Sequence, residues 1–206
     1  MKASNLAIGS ERTWADLAGC VASVVDACVC LTMLFVPSTR ATGDWLCIIL
    51  IDPIACIIIY WALYRRLDDI RPIWAELGFY LLILGTLFLT FGNVLQESAS
   101  LNLQTLNYFT GNDFGILLEV LVTFTLPFGL AIYGWLIASC PPLRRWLGFM
   151  MGVQAVLLLI ACGSFAFPRL SDFASSELCA VYAVILSVSK AVWFLSPVAG
   201  SKYAGR

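Results

Sequence analysis

The sequence predicts an all-α, polytopic integral membrane protein built as a six-helix transmembrane bundle. Three observations carry that expectation. Six apolar stretches, roughly residues 14–36, 44–64, 72–94, 113–139, 143–167 and 176–198, each reach the ~20 residues that a helix needs to cross a hydrocarbon core. Hydrophobic residues make up 61% of the 206-residue chain and charged residues 12%, with a mean hydropathy of +0.90, whereas a soluble domain carries about a quarter charged residues. The basic residues, finally, alternate between connections. Lipid gives the backbone no hydrogen-bonding partner, so spans are helices or closed barrels, and these runs are too long and continuous for barrel strands of alternating polarity. The longest connection is about 18 residues, so residues 1–206 are expected to form a single membrane domain.

Nine of the twelve Lys and Arg residues fall at the N-terminus (Lys2, Arg12), after span two (Arg65, Arg66, Arg71), after span four (Arg144, Arg145) and at the C-terminus (Lys202, Arg206). The opposite connections hold only Arg40 and Arg169. By the positive-inside rule both termini are expected to be cytoplasmic, in a plasma or bacterial inner membrane. Trp14, Trp61, Trp74, Trp135, Trp146 and Trp193 lie near cytoplasmic span ends, as an interfacial belt requires.

Taken in order, span one is an apolar run of about 23 residues opening at Trp14, longer than the 7–15 of a secretory core, and is read as retained. Span two carries Asp52-Pro53 and ends on Arg65-Arg66. Span three repeats Gly78, Gly85 and Gly92 every seven residues, a seam for close helix approach. The connection from Leu95 to Asn112 is polar but interleaved with Leu101, Leu103, Leu106, Tyr108 and Phe109; it reads as a surface loop, with an interfacial helix or lid as the alternative. Span four has Pro127 near Thr123 and Thr125, span five has the G-x-x-x-G of Gly148 and Gly152, and span six has the small stripe of Ala183 and Ser187.

A tandem hairpin repeat is also suggested. Pro53, Ile59-Tyr60-Trp61-Ala62-Leu63, Pro72-Ile73 and Leu77-Gly78-Phe79 are echoed by Pro127, Ile132-Tyr133-Gly134-Trp135-Leu136, Pro142-Leu143 and Leu147-Gly148-Phe149. The echo reads as a parallel duplication at an offset of 70 residues, leaving spans one and six as a third pair.

The absence of histidine excludes imidazole-ligated haem and metal sites as well as Ser-His-Asp and Cys-His chemistry. Eight cysteines show no C-x-x-C spacing, and all but Cys140 lie inside spans, where they read as small hydrophobes. Cys47 and Cys179, near outer span ends, form a candidate bridge in an oxidising compartment. A net charge of −1 without a basic cluster leaves no nucleic-acid surface. No metal, cofactor or catalytic residue is expected, and the reading leans away from an enzyme.

Beyond the first and last three residues of the spans, five ionisable residues lie inside them: Asp26, Asp52, Glu76, Glu119 and Lys190. Each costs about 2.5–3.5 kcal/mol near a helix centre, so such groups face the bundle interior. At ~1.5 Å per residue, Asp26 lies about 15–18 Å from either side, Lys190 about 12 Å from the cytoplasmic side, and Asp52 and Glu119 about 10 Å below the outer surface. Asp26 shares a face with Gly19, Ala22, Ser23 and Cys30, and Lys190 with Ala183 and Ser187, so Asp26 and Lys190 are predicted to pair. Asp52 and Glu119 form the second group by depth, beside carbonyls freed by Pro53 and Pro127, as a cation or proton site requires. Glu76, near Arg71, reads as interfacial.

Two resemblances bear on these residues. Val181-Tyr182-Ala183-Val184-Ile185-Leu186-Ser187-Val188-Ser189-Lys190 resembles the last helix of microbial rhodopsins, which implies retinal held as a Schiff base on Lys190. The chain departs from that family in having six spans rather than seven and Leu186 where an acidic residue stands. Pro141-Pro142-Leu143-Arg144-Arg145-Trp146-Leu147-Gly148, with the span plan, is similar to bacterial six-span membrane proteins of unknown function, which imply no activity.

The expected function is binding or translocation of a small solute, cation or proton through Asp26, Asp52, Glu119 and Lys190. The alternatives are an accessory or structural subunit, acting through membrane partners or a homo-oligomer, and after it an intramembrane enzyme or a retinal-binding protein. The lipid bilayer is the one partner common to all.

Overall fold

The computed structural model describes residues 2–35, 42–68, 70–100, 112–139, 142–163 and 177–196. They form six helices: α1 (Lys2–Phe35), α2 (Thr42–Leu67), α3 (Pro72–Ser100), α4 (Asn112–Ala138), α5 (Pro142–Gly163) and α6 (Glu177–Leu195). Among the described residues three helices are long and apolar enough to cross a membrane, over Trp14–Thr32, Pro72–Leu95 and Val120–Ala138. The apolar parts of α5 and α6, Arg145–Ile160 and Val181–Leu195, are shorter.

Two helices outrun their apolar stretches. α1 begins at Lys2, well before Trp14, and α3 continues to Ser100, six residues past the apolar run. Hydropathy marks where lipid can begin, but the backbone ladder continues for as long as good helix formers such as Ala3, Leu6, Glu11 and Arg12 allow. The predicted loop between Leu95 and Asn112 is therefore partly helix, and residues 101–111, on which the lid alternative depended, lie outside the described residues.

The helices are apolar outside and partly polar inside. Trp14, Ile73, Tyr80, Phe124, Phe149 and Val192 point outward, while Ser23, Asp26, Thr86, Thr125, Ser187 and Lys190 are buried. Water-soluble proteins sort these residue types the other way, and the inversion is compatible with hydrocarbon surroundings. Each helix packs on its neighbours in sequence, and α6 returns to pack on α1 and touch α5. Ile59, Leu63 and Leu67 of α2, Leu82 of α3, Tyr133, Leu136 and Ile137 of α4 and Met151 of α5 fill the centre.

Glycines set the closest approaches. A Cβ on Gly148 of α5 would lie 2.5 Å from the backbone nitrogen of Ala138 and closer still to the carbonyl oxygen of Gly134, so α4 and α5 touch backbone to backbone. On α3, Gly78 receives the ring of Tyr133 and Gly85 receives Thr125 and Leu126, and the Tyr133 hydroxyl donates to the carbonyl of Ala75 at 3.1 Å. The predicted seams are uneven at their ends: a Cβ on Gly92 or Gly152 would meet nothing within 4 Å among the described residues, although the backbone nitrogen of Gly152 would lie 3.1 Å from a Cβ on Gly134. Periodicity puts a glycine on a face without requiring the neighbouring helix to follow that face to its end.

The offset of the repeat is not uniform. Pro72 and Leu77-Gly78-Phe79 recur after 70 residues, but Pro53 and Pro127 are 74 apart, so the copies align only with a gap. The matched glycines also serve different contacts, Gly78 against α4 of the other hairpin and Gly148 against α4 of its own.

Candidate functional site at the α1, α2 and α6 interface

Asp16, Gly19, Ser23, Asp26 and Cys30 follow one another on α1 at alternating spacings of three and four, which places them on one face. That face meets α2 and α6. α6 runs antiparallel to α1, because contacts of Asp16 and Gly19 lead to Phe194 while those of Asp26 lead to Lys190 and Ser187. Side chains lean toward the N-terminus of their own helix, so in an antiparallel pair Asp26 and Lys190 lean toward each other.

The predicted pair is present. Lys190 Nζ lies 3.1 Å from Asp26 Oδ2, with both side chains 8% exposed. Ser187 Oγ lies 2.5 Å from the same oxygen and 2.9 Å from the carbonyl of Ala183. Two polar hydrogens thus converge on one carboxylate oxygen, as a buried charge requires. Ser23, fully buried one turn before Asp26, donates to the carbonyl of Gly19 at 2.7 Å.

Asp52 joins this cluster. The ligand atoms of Asp26, Cys30 and Asp52 all lie within 4.8 Å of one another, and Cys30 Sγ is 3.9 Å from Asp26 Oδ1. Grouping by depth therefore fails for Asp52, which meets Asp26 of the adjacent helix; a depth difference of a few ångströms is less than side-chain reach and helix tilt supply. Glu119 lies on α4, which packs on α3 and α5, and its side chain lies outside the described residues. The Lys190 ammonium already takes the place of a cation beside Asp26. With two carboxylates to one amine, the charges of the cluster balance only when one carboxylate is protonated or a small cation sits beside it.

A second charged layer lies one turn beyond Lys190. The Arg66 guanidinium, 7% exposed, pairs with Asp16 and donates to the carbonyls of Trp193 at 2.9 Å and Phe194 at 2.6 Å. It also lies over both rings, 4.4 Å from the Trp193 centroid and 5.3 Å from that of Phe194. The last carbonyls of a helix lack intrahelical partners and carry partial negative charge, and a planar five-donor fork can serve two of them and a carboxylate together. Nothing in the positive-inside pattern separates Arg66 from Arg65; the one available signal is Asp16, at the start of the α1 stripe.

Of the other expected groups, Arg71 stacks on Trp135 at 4.7 Å, Trp74 meets that indole edge-on at 5.9 Å, and Glu76 is exposed. The side chains of Cys47 and Cys179 lie outside the described residues. Comparison with known proteins adds no relative: no family model, curated protein or solved structure matches the chain.

Proposed function

We propose that the chain is a six-span integral membrane protein, one membrane domain with both termini cytoplasmic, in a plasma or bacterial inner membrane, that binds and translocates a proton or small cation at Asp26, Asp52 and Lys190. The observation that carries this reading is the excess of carboxylate over amine in one site, with Asp26 and Lys190 buried and Asp52 half-buried beside them. An ion pair kept only for packing needs one acid and one base, and a second acid within 4.8 Å adds cost unless it has a use. The six-span plan is supported by the outward apolar faces and by the lengths of α2, α5 and α6, which reach 26, 22 and 19 residues with their polar ends included. The orientation is supported by the basic residues between α2 and α3.

A second reading, an accessory subunit, is favoured by one feature: both donors to Asp26 Oδ2 come from α6, as in a bridge that fixes the register of two helices. Flux separates the two. In liposomes loaded with a pH-sensitive dye, and in parallel with a cation indicator, the purified protein should dissipate an imposed gradient, and Asp52→Asn should abolish this while leaving the Asp26 and Lys190 pair in place. Wild-type protein without flux, or Asp52→Asn with full flux, rules the transport reading out.

A further inference from the structure

Between the two charged layers lies an apolar contact. Asp16 and Asp26 are ten residues apart on α1, about 15 Å along its axis. Within that interval Gly19 receives Ala62 of α2 and the tip of the Phe194 ring of α6; a Cβ on Gly19 would lie 2.7 Å from both Ala62 Cβ and Phe194 Cζ. Ser23 and the Asp26 cluster lie on the far side, Asp16 and Arg66 on the near side, and Phe194 is 3% exposed. The α1 stripe is thus polar, then apolar, then polar, and the apolar step is closed by one aromatic ring against a residue with no side chain.

We propose that Phe194, closed on Gly19 and Ala62, is the gate between the Arg66 end of the molecule and the Asp26, Asp52 and Lys190 site. The inference rests on the translocation reading and adds to it the place where the path is shut. Phe194 stands four residues after Lys190, on the same face of α6. A shift of α6 that withdraws the ring therefore also moves the ammonium relative to Asp26, and it breaks the two hydrogen bonds from Arg66 to the end of α6. Gate and ion pair are mechanically one unit, with Arg66 holding it closed. Gly19 is required because any larger residue would occupy the seat of the ring.

The native Cys30 thiol, beyond the gate and beside Asp26, reports access without an introduced probe. Full-length protein is oriented in sealed vesicles with the Arg66 end outward, treated with a charged, membrane-impermeant methanethiosulfonate, and scored at Cys30 by fragment-ion mapping, which separates it from the exposed Cys28. Wild-type protein should label slowly, Phe194→Ala several-fold faster, and Phe194→Leu, which keeps most of the bulk, close to wild type. Phe194→Val, a milder truncation, gives an intermediate rate and serves if the alanine variant does not elute as folded protein. Equal labelling of Cys30 in wild type and the truncated variants overturns the gate. Access is read without ion movement, so gated labelling with no flux removes the transport reading alone, and ungated labelling with flux removes the gate alone.

Discussion

Replacing Lys190 by Met keeps an unbranched side chain one atom shorter and removes its charge, which makes it the sharpest test of what holds α6 on α1. At 3.1 Å and an effective dielectric near 20, the attraction between Lys190 and Asp26 is about 5 kcal/mol, against which stands the desolvation of both groups. Removing one partner leaves the other charged and buried, at a cost of about 3–5 kcal/mol. In Lys190→Met, Asp26 would retain the Ser187 hydroxyl as donor and lose its counter-charge. Removing both charges, with Asp26→Asn added, eliminates the uncompensated group, and such paired replacements are commonly neutral or stabilising by about 1–4 kcal/mol. The double variant is therefore expected to be more stable than Lys190→Met alone. Unfolding of the four proteins of the cycle by SDS titration in mixed micelles, followed by tryptophan fluorescence, measures the coupling. Losses that add to within about 0.5 kcal/mol would mean that the two groups do not act on each other, and the account of the site would fail.

Two further outcomes follow from the packing. Gly148→Ala should destabilise the protein by about 1–3 kcal/mol, because its methyl group meets the backbone of Gly134 and Ala138, whereas Gly152→Ala should stay within about 0.5 kcal/mol; thermal unfolding in one detergent compares them, and equal losses would refute the α4 and α5 contact. Arg66→Lys should cost about 1.5–3 kcal/mol, since a compact ammonium cannot serve Asp16 and two carbonyls of α6 together; unchanged stability in the same measurement would show that the fork geometry is immaterial.

The helical class and the Asp26 and Lys190 pair were legible because each follows from a local pattern: apolar runs for the helices, and polar stripes at helical spacing for the pair. What escaped depends on which helices become neighbours. Depth alone puts Asp52 with Glu119, but α2 packs on α1, so its carboxylate meets Asp26. Arg66 reads as one more topological arginine until α6 brings its terminal carbonyls within reach. The glycine seams are legible in part for the same reason: Gly78, Gly85 and Gly148 find a partner and Gly152 lends its backbone to the contact with Gly134, while a Cβ on Gly92 would meet nothing within 4 Å among the described residues. The ends of α1 and α3 were misplaced because hydropathy reports the solvent and not the backbone ladder.

Asp26 and Lys190 are 164 residues apart in the chain. In the proposed six-span arrangement, α1 would reach the bilayer long before the amine that neutralises its acid has been translated, and the carboxylate would wait through the insertion of four intervening helices. Only the arrival of α6 ends that wait.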